Sequence, residues 1–316
     1  MSEAGLEDVV VIGGGITGLH AAMTVAEDGW RVRLVDAMGG GGQLLNLGPL
    51  ASYPSGASKD DSGPDLAGQL LEQAMEGGVE LSFGSVSRLT DTTPFRVDTD
   101  AGELLARVVV IATGQSAGQL GLPGETDLVG RGISHCASCD GPLFANKAVC
   151  VVGDGEWAVD EALHLAEYAS RVTLIVPSAA LRCGRRRPGL LGATEKIEIV
   201  LDAVPTALTS RDGLLQSVAV EGVGGGRTIP TDGLFPITGW RPNTEFVPDT
   251  VACRLDGNLA VDRFGATTLP NLFAAGDVTR SSPGTLLEAA AAGVTTGMAV
   301  NRLLASAKDA PGSALP

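Results

Sequence analysis

The pattern of apolar and polar positions along the chain predicts an α/β protein in which strands and helices alternate. The β-branched run Val9–Ile12 leads into glycines, and an apolar helix over about residues 19–28 and a second strand over 31–35 follow. Short β-branched runs of this kind are typical of strands buried on both faces of a parallel sheet. The same strand, helix, strand order returns over 148–152, 159–168 and 171–176. The chain is therefore predicted to hold two βαβ units.

The remaining apolar patterns place further elements around these two units. Helices are predicted over 65–76 and 286–304. Two segments that contain Gly and Pro, 118–132 and 239–244, are interpreted as crossovers between domains. Further strands are predicted over 79–87, 95–99, 104–110, 197–204, 217–221 and 233–237, and residues 271–277 are predicted to form a strand that ends in a Gly-Asp turn.

Length, charge and cysteine content indicate the number of domains, the partners that are excluded and the expected compartment. A length of 316 residues suggests about two domains. The net charge of -15 argues against nucleic acid or an anionic membrane surface as a partner. No apolar run is long enough to cross a bilayer, and the acidic N-terminus does not resemble a signal peptide. The odd number of cysteines is atypical of a secreted disulfide framework, so a reducing cytoplasm is expected.

A glycine-rich turn connects the first strand to its helix. Gly13, Gly15 and Gly18 form G-x-G-x-x-G, and Asp36 ends the second strand about twenty residues further on. In this motif the glycines let the backbone approach a pyrophosphate at the helix N-terminus, and the acid accepts hydrogen bonds from an adenosine ribose. Because strand, helix, second strand and acid are all in place, this unit is predicted to bind a dinucleotide rather than to be an unliganded turn.

The second βαβ unit carries a related turn, G-x-G-x-x-A, but lacks the residues that select a nucleotide. Val176 stands where the first unit has Asp36, so the ribose-binding acid is missing. Arginines directly after the strand, which a 2′-phosphate would need, are missing as well. The later arginines, Arg182 and those at 185–187, either reach a phosphate from a distance or form a solvated charged loop. The residues of the turn are Gly153, Gly155 and Ala158.

Two cysteines just before this second unit are the strongest candidates for redox chemistry. Cys136 and Cys139 form C-x-x-C, and Asp140 follows directly. A disulfide across so short a loop adds little stability, and its reduction potential is set by the local field. The other cysteines and the histidines occur singly, whereas a zinc site would need further paired ligands. No metal site is expected, and the pair is interpreted as catalytic, with a structural disulfide as the alternative.

Small residues at other strand ends are suited to a bound cofactor. Gly39–Gly42 and Gln43 follow the ribose acid, where the chain either wraps the far end of a cofactor or is a flexible connection. Gly114 ends a buried strand and permits close packing against a cofactor. Asp277, directly after Gly276, either binds a ribityl hydroxyl or caps the next helix.

These motifs together make the chain resemble the low-molecular-weight thioredoxin reductases over nearly its full length. The matching segments, in the order of that family, are VVIGGGITGL, GGQL, YPSG, VVIATG, LGLPGE, GRGISHCASCDG, VVGDGEWAVDEAL, WRPNT and NLFAAGDV. The resemblance implies an α/β fold of two Rossmann-like dinucleotide-binding domains, the second inserted into the first. It implies an FAD-binding domain at 1–116 and 243–316, and an inserted pyridine-nucleotide-type domain with the C-x-x-C at 117–242.

The resemblance also implies roles for individual residues. It implies a homodimer in which a domain rotation exposes the thiols in turn to the flavin and to a disulfide of a thioredoxin-like protein. Cys139 would face the flavin, Cys136 would attack the substrate disulfide, and Asp140 would protonate the leaving thiolate. FAD would contact Gly13, Gly15, Gly18, Asp36, Gly42, Gln43, Thr113, Gly114, Gly276 and Asp277, and the second dinucleotide site would contain Gly153, Gly155, Ala158 and Arg182.

Two departures from the family concern the electron donor and the surroundings of the flavin. The family carries His-Arg-Arg for NADPH after the second strand of its inserted domain, whereas this chain has Val176-Pro177-Ser178. The family also has an Arg-Gln pair before its last helix, where residues 281–287 here read SSPGTLL. NADPH as donor is therefore in question. Ferredoxin as donor, or a second FAD in the inserted domain, is the alternative.

Three functions are consistent with the sequence. The leading prediction is an FAD-dependent, thioredoxin reductase-like disulfide oxidoreductase. A dithiol oxidase would instead pass electrons from a small dithiol through FAD to oxygen, but such relatives tend to have His after the second cysteine, where this chain has Asp140. The third is a non-catalytic flavoprotein that senses redox state or a ligand through its altered second site.

Overall fold

Strands and helices alternate along most of the chain in the computed structural model. The structure describes residues 5–47, 50, 62–185, 187–281 and 283–309. The side chains of residues 138, 139 and 309 lie outside this description. No helix within these ranges is long and apolar enough to span a bilayer. The α-helices are α1 (Ile16–Glu27), α2 (Gly63–Glu76), α3 (Ala137–Asp140), α4 (Glu156–Tyr168), α5 (Arg187–Gly192) and α6 (Leu286–Asp309), and short 3₁₀ turns lie at Gly42–Asn46, Thr126–Leu128, Gly141–Phe144 and Gly276–Thr279. The strands are β1 (Leu6–Ile12), β2 (Val32–Asp36), β3 (Glu80–Phe83), β4 (Val86–Leu89), β5 (Phe95–Thr99), β6 (Gly102–Ile111), β7 (Gln115–Ala117), β8 (Ala148–Val152), β9 (Arg171–Ile175), β10 (Ile197–Val200), β11 (Ala203–Arg211), β12 (Leu214–Gly222), β13 (Arg227–Pro230), β14 (Gly233–Pro236), β15 (Trp240–Pro242) and β16 (Leu272–Ala274).

The chain divides into two compact units, Met1–Ser116 with Arg241–Pro316, and Ala117–Trp240. In the first unit β3, β2, β1 and β6 lie side by side in parallel, β16 pairs in parallel with β6, and β5 and β4 continue from β6 antiparallel. The β-branched runs Val9–Ile12 of β1 and Val108–Ile111 of β6 are buried, as the pattern predicts. The carboxyl ends of β1, β2, β6 and β16 therefore meet at one edge of this sheet.

Helices α1 and α6 pack closely because small residues face each other. A Cβ atom on Gly293 would lie 2.2 Å from the carbonyl oxygen of Thr17, and one on Gly297 would lie 2.9 Å from that of Ala21. The hydroxyl of Thr17 also donates to the carbonyl oxygen of Ala289 at 3.0 Å. The last helix is thereby anchored on the helix that follows the first glycine turn.

The second unit is built on its own parallel sheet, in the order β10-β9-β8-β14. Helix α4 packs on this sheet, and Val149, Val151 and Phe235 lie in the core between them. Strands β11, β12 and β13 form a separate antiparallel sheet. Strands β7 and β15 pair with each other where the chain passes from one unit to the other.

The predicted α/β class with parallel sheets is confirmed, but two predicted strands are wrong in extent. Residues 79–87 form β3 and β4 rather than one strand, because Gly84 packs against the carboxylate of Asp100 and the chain leaves β2 there to pair with β5. Residues 197–204 likewise divide into β10 and β11. Asp202 between them has φ 51°, a left-handed conformation that does not continue a strand.

Candidate active site

The first dinucleotide turn lies between β1 and α1 and is held by contacts that only glycine permits. A Cβ atom on Gly13, whose φ is 104°, would lie 2.4 Å from the carbonyl oxygen of Ala112. One on Gly18 would lie 1.8 Å from the carbonyl oxygen of Gly13. At Gly15, by contrast, a Cβ atom would meet nothing within 4 Å. Gly13 and Gly18 therefore permit close packing, and Gly15 leaves open space at the start of α1.

Alanine at Gly18 is expected to destabilise the protein by about 1–3 kcal/mol, because its Cβ atom would overlap the Gly13 carbonyl group. Gly15 has φ -73° and open space beside it, so alanine there is the matched control and should cost less than about 1 kcal/mol. Urea unfolding of both variants without cofactor measures the difference. Equal losses at the two positions would contradict the packing role of Gly18.

Asp36, at the end of β2, is hydrogen-bonded to the turn itself. Its Oδ2 accepts from the N–H of Gly14 at 2.7 Å, and its Oδ1 accepts from the N–H groups of Met38 and Gly40 at 2.8 and 2.9 Å. A carboxylate offers about four acceptor sites, so one stays available on Oδ2. A ribose hydroxyl at this position would bind there, while the other contacts hold the carboxylate in place.

The segment after β2 returns to the same turn. A Cβ atom on Gly42, whose φ is 51°, would lie 3.2 Å from the Cα of Gly15. The side-chain amide of Gln43 donates to the backbone carbonyl of Gln115 at 3.1 Å. Gly42 therefore lies beside the first glycine turn, and Gln43 is hydrogen-bonded to β7. The YPSG segment, residues 53–56, lies outside the described residues.

Thr113 and Gly114 are tied to Asn243, which is not predicted as a site residue. The Thr113 hydroxyl donates to the carbonyl oxygen of Asn243 at 2.7 Å, and the Asn243 side-chain amide donates to the carbonyl oxygen of Thr113 at 2.9 Å. The Asn243 N–H also donates to the Gly114 carbonyl at 3.2 Å. The hydroxyl proton of Thr113 is therefore used in a hydrogen bond within the protein. The asparagine of the WRPNT motif was the signal that could have found this pair.

Gln115 is a second residue that the sequence pattern does not single out. It is only 3% exposed, and its Nε2 donates to Asn258 Oδ1 at 2.9 Å and to the carbonyl oxygen of Arg280. Its Oε1 is buried and has no partner among the described residues. A buried acceptor of this kind costs free energy until a donor satisfies it, and a cofactor N–H is one such donor.

Gly276 and Asp277 follow β16 at the same edge of the sheet. Gly276 has φ 77°, and a Cβ atom there would lie 2.5 Å from the hydroxyl of Thr17 in α1. Asp277 Oδ1 accepts from the N–H of Gly284 at 2.8 Å. Burial raises the pKa of the Asp277 carboxyl, and the Gly284 hydrogen bond opposes that effect. The helix-cap alternative for Asp277 is wrong, because α6 is capped by Thr285 and Glu288.

The residues around Gly15 fit the pyrophosphate of a dinucleotide such as FAD. The first turn of α1 carries no acidic side chain. Its free N–H groups and the positive end of the helix dipole therefore face the open space beside Gly15 without competition. Asp36 lies at the end of the neighbouring strand, where an adenosine ribose would follow the pyrophosphate.

The second turn, between β8 and α4, repeats this backbone geometry with a different charge. A Cβ atom on Gly153 would lie 2.4 Å from the carbonyl oxygen of Ile237 and 2.7 Å from the Cβ of Ala158. Gly155, like Gly15, has nothing within 4 Å of its Cβ position. Glu156, however, stands in the first turn of α4. Its carboxylate accepts from the N–H of Gly184 at 2.9 Å and is paired with Arg187 at 3.1 Å, and it adds a negative charge at the end of the helix where a pyrophosphate would bind.

Arg182, one of the arginines predicted to reach a phosphate, is ion-paired within the second unit. Its guanidinium donates to Asp154 Oδ1 at 2.7 Å, and its N–H donates to the Asp154 carbonyl oxygen at 2.6 Å. The Ser178 hydroxyl donates to the other carboxylate oxygen of Asp154 at 2.9 Å. The hydrogen bond from Arg182 lowers the pKa of the Asp154 carboxyl. A nucleotide phosphate would have to compete with this ionised acid for the guanidinium.

Two tryptophans of the second unit stack on each other next to this turn. The rings of Trp157, in the first turn of α4, and Trp240 are 4.7 Å apart between centroids and inclined by 10°. The indole N–H of Trp157 donates to Glu161 Oε1 at 3.2 Å. Neither tryptophan is predicted as a site residue. The position of Trp157 inside the second glycine turn could have indicated that it lies at the site.

The C-x-x-C forms a single helical turn at α3. Cys136 is disulfide-bonded, and its N–H donates to the Ser134 hydroxyl at 3.1 Å. Its carbonyl oxygen accepts from the N–H of Asp140 at 3.1 Å. The side chain of Cys139 lies outside the described part of the chain. No group of three or more His, Cys, Asp or Glu among the described residues could hold a metal ion. Among the cysteines whose side chains the structure describes, Cys150, Cys183 and Cys253 are free.

Glu161 lies between this turn and the tryptophan pair. Its Oε2 accepts from the N–H of Ala137, the buried residue directly after Cys136, at 2.6 Å. Burial raises the pKa of the Glu161 carboxyl, although the hydrogen bonds from Ala137 and Trp157 act in the other direction. Glu161 is not predicted as a site residue, because a single acid on a helix is usually solvated. Its spacing of four residues from Trp157 was the only signal.

Two comparisons with known proteins decide the family. The family model for pyridine nucleotide-disulphide oxidoreductases matches residues 7–293. The thioredoxin reductase of Listeria innocua is 31% identical over 312 residues, which cover 98% of this chain and 97% of that protein. The chain belongs to the pyridine nucleotide-disulphide oxidoreductase family. Within this family it is an FAD-dependent, thioredoxin reductase-like disulfide oxidoreductase, so the predicted enzyme class is confirmed.

Solved structures of this oxidoreductase family share the fold. The thioredoxin reductase of Lactococcus lactis matches with a TM-score of 0.83 at 30% identity, covering 95% of this chain and 99% of that one. A ferredoxin-flavin thioredoxin reductase from Clostridium acetobutylicum matches with a TM-score of 0.52 at 25% identity, covering 95% and 99%. The resemblance to the low-molecular-weight thioredoxin reductases and the prediction of two Rossmann-like domains are thereby confirmed.

Proposed function

We propose that this oxidoreductase moves electrons between FAD and the disulfide of a thioredoxin-like protein through Cys136 and Cys139. The observation that carries the proposal is the disulfide-bonded Cys136 at the start of α3, in a chain whose first unit offers an open dinucleotide turn at Gly15. Relatives named thioredoxin reductase support this class of substrate. The test is turnover of a thioredoxin disulfide by the purified flavoprotein, with and without its thiols.

In this proposal Cys136, Cys139 and Asp140 have separate roles. When bound, FAD supplies the electron pair that reduces the Cys136–Cys139 disulfide. The Cys136 thiolate then attacks one sulfur of the partner disulfide, the other sulfur leaves as a thiolate, and Asp140 protonates it. The Cys139 thiolate attacks Cys136 in the mixed disulfide, which releases the reduced partner and restores the intramolecular disulfide. FAD is held by Gly13, Gly15, Gly18, Asp36, Gly42, Gln43, Thr113, Gly114, Gly276 and Asp277.

We propose that NADPH is not the electron donor. Two features of the second unit support this: Glu156 lies at the N-terminus of α4, and Arg182 is already paired with Asp154. Gly153, Gly155 and Ala158 keep the backbone of a dinucleotide turn, which leaves a second FAD as an alternative occupant. The Clostridium relative described as a ferredoxin-flavin enzyme supports reduced ferredoxin as donor.

Anaerobic mixing tests the donor directly. Reduced ferredoxin should bleach the flavin absorbance at least about 100-fold faster than NADPH or NADH, because the second unit lacks both the charges that bind the 2′-phosphate of NADPH and the acid that binds the ribose of NADH. Rapid bleaching by NADPH would show that the inserted unit still binds it. Peroxide formed in air from small dithiols, with no donor added, would favour the dithiol oxidase instead.

We further propose a cytoplasmic homodimer. The resemblance to the thioredoxin reductases supports the dimer, and the odd number of cysteines supports a reducing compartment. Light scattering on the eluting protein should give twice the mass of the chain, and a monomer at micromolar concentration would contradict the dimer.

A further inference from the structure

Glu161 on α4 accepts a hydrogen bond from a backbone amide of the C-x-x-C turn. Its two carboxylate oxygens have separate partners: Oε2 accepts from the N–H of Ala137, and Oε1 accepts from the indole N–H of Trp157. Ala137 follows Cys136 directly and is fully buried. A shift of this carboxylate therefore moves the turn that carries the redox pair.

We propose that Glu161 is a positioning residue for the Cys136–Cys139 pair, which holds the turn at Ala137 and controls through its negative charge how readily the thiols ionise. This inference rests on the proposed function, since it takes these two cysteines as the redox pair. Glu161 acts on the sulfur atoms through the turn and through its field. It is distinct from Asp140, which belongs to the C-x-x-C-D segment itself.

The chemistry of the acceptor argues that a carboxylate is required here. An amide side chain carries an oxygen on one branch and an NH2 group on the other, so one of the two N–H groups would face a donor and lose its hydrogen bond. A carboxylate accepts from both at once. Burying its charge is costly unless it is hydrogen-bonded, and burial raises the pKa of Glu161 despite both bonds. The side chain therefore brings a negative charge to the backbone amide directly after Cys136 and can lose that charge by binding a proton.

Charged groups on the neighbouring elements set the field in which Glu161 titrates. On α4 itself, His164 lowers the pKa of the Glu161 carboxyl and Asp160 raises it. Asp160 is in turn paired with Arg187 of α5 at 2.8 Å. The α3 segment packed against α4 contributes Asp140 and the cysteines of the motif. Among these groups Glu161 is the carboxylate hydrogen-bonded to the turn.

The sign of the effect follows from like-charge repulsion. An ionised Glu161 disfavours a thiolate nearby, so it raises the pKa of the more reactive thiol. Removing the charge in Glu161→Gln should lower that thiol pKa and speed its alkylation at pH 7 by about threefold to tenfold, since one pKa unit corresponds to a tenfold change in thiolate.

The experiment measures iodoacetamide alkylation of the flavin-loaded protein after reduction by dithiothreitol, between about pH 5 and about pH 9. Mass spectrometry follows the peptide that contains Cys136 and Cys139. Glu167→Gln is the matched control, because Glu167 is exposed on the same helix and undergoes the same change of charge. It should alkylate at the wild-type rate. Equal rates for wild type and Glu161→Gln, or equal acceleration in both variants, would overturn the proposal.

Trp157→Phe provides a second variant in case Glu161→Gln does not fold. It keeps an aromatic ring but removes the hydrogen bond that favours the ionised carboxyl, so Glu161 should protonate at a higher pH. Alkylation should then be faster than in wild type at low pH and equal to it at high pH. The opposite order would overturn the proposal. Because dithiothreitol reduces the pair directly, failure of the flavin to reduce it would contradict the proposed function without affecting this measurement.

Discussion

Serine at Cys136 or Cys139 is expected to lower turnover of a protein disulfide by at least about a thousandfold. A serine hydroxyl neither attacks a disulfide nor forms one, so the transfer of electrons from flavin to substrate stops at the missing sulfur. The flavin should still bind, since its predicted contacts lie in the first unit. Thioredoxin reduction, followed with whichever donor bleaches the flavin fastest, measures the loss.

Serine at Cys183 or Cys253 is the matched control, because both cysteines are free and at least partly exposed. Each should keep wild-type turnover within about twofold. If Cys136→Ser retained more than a tenth of wild-type turnover, the two cysteines would not be the redox pair. The non-catalytic sensor would then become the leading function.

Valine at Gly15 is expected to remove the flavin from most of the purified protein. A side chain at this position meets no protein atom within 4 Å, so it projects into the space where a pyrophosphate would lie. The steric conflict should weaken FAD binding by about 100-fold or more, which corresponds to about 3 kcal/mol. Absorbance after denaturation gives the moles of flavin per chain.

Valine at Gly155 tests the second unit in the same way. Gly15 and Gly155 both have extended backbone, with φ -73° and -87°, and both have open Cβ positions. We expect Gly155→Val to keep the wild-type flavin content and turnover. Loss of flavin would show a second FAD in the inserted unit. Loss of NADPH-dependent turnover alone would show that NADPH binds there.

Much of the fold could be predicted from local pattern. The β-branched run at Val9–Ile12, the glycine turn and Asp36 predict β1, α1 and β2 to within a few residues. The pattern is reliable there because strands buried on both faces leave no alternative to apolar, β-branched side chains. It was wrong at 79–87 and 197–204, where Gly84 packs against Asp100 and Asp202 adopts a left-handed backbone. Those breaks depend on a distant partner or on a single dihedral angle.

The candidate site was predictable only where a motif required a particular backbone. Gly13, Gly15 and Gly18 stand out because a helix N-terminus that accepts pyrophosphate needs glycine at that spacing. Asn243 and Gln115 do not stand out, since their partners at Thr113 and Asn258 are more than a hundred residues away in the chain. Glu161 and Trp157 are four residues apart on a helix, and this spacing is too common to mark a functional site.

By itself the sequence determined that the chain has two dinucleotide turns, one complete and one without its ribose acid, and a C-x-x-C between them. These features are local, so a few adjacent residue types suffice to specify them. Only the tertiary structure decided which partner each charged side chain has. Arg182 forms an ion pair with Asp154, and Glu161 accepts a hydrogen bond from the backbone beside Cys136. A charge acts on whatever lies within a few ångströms of it, and those neighbours come from distant parts of the chain.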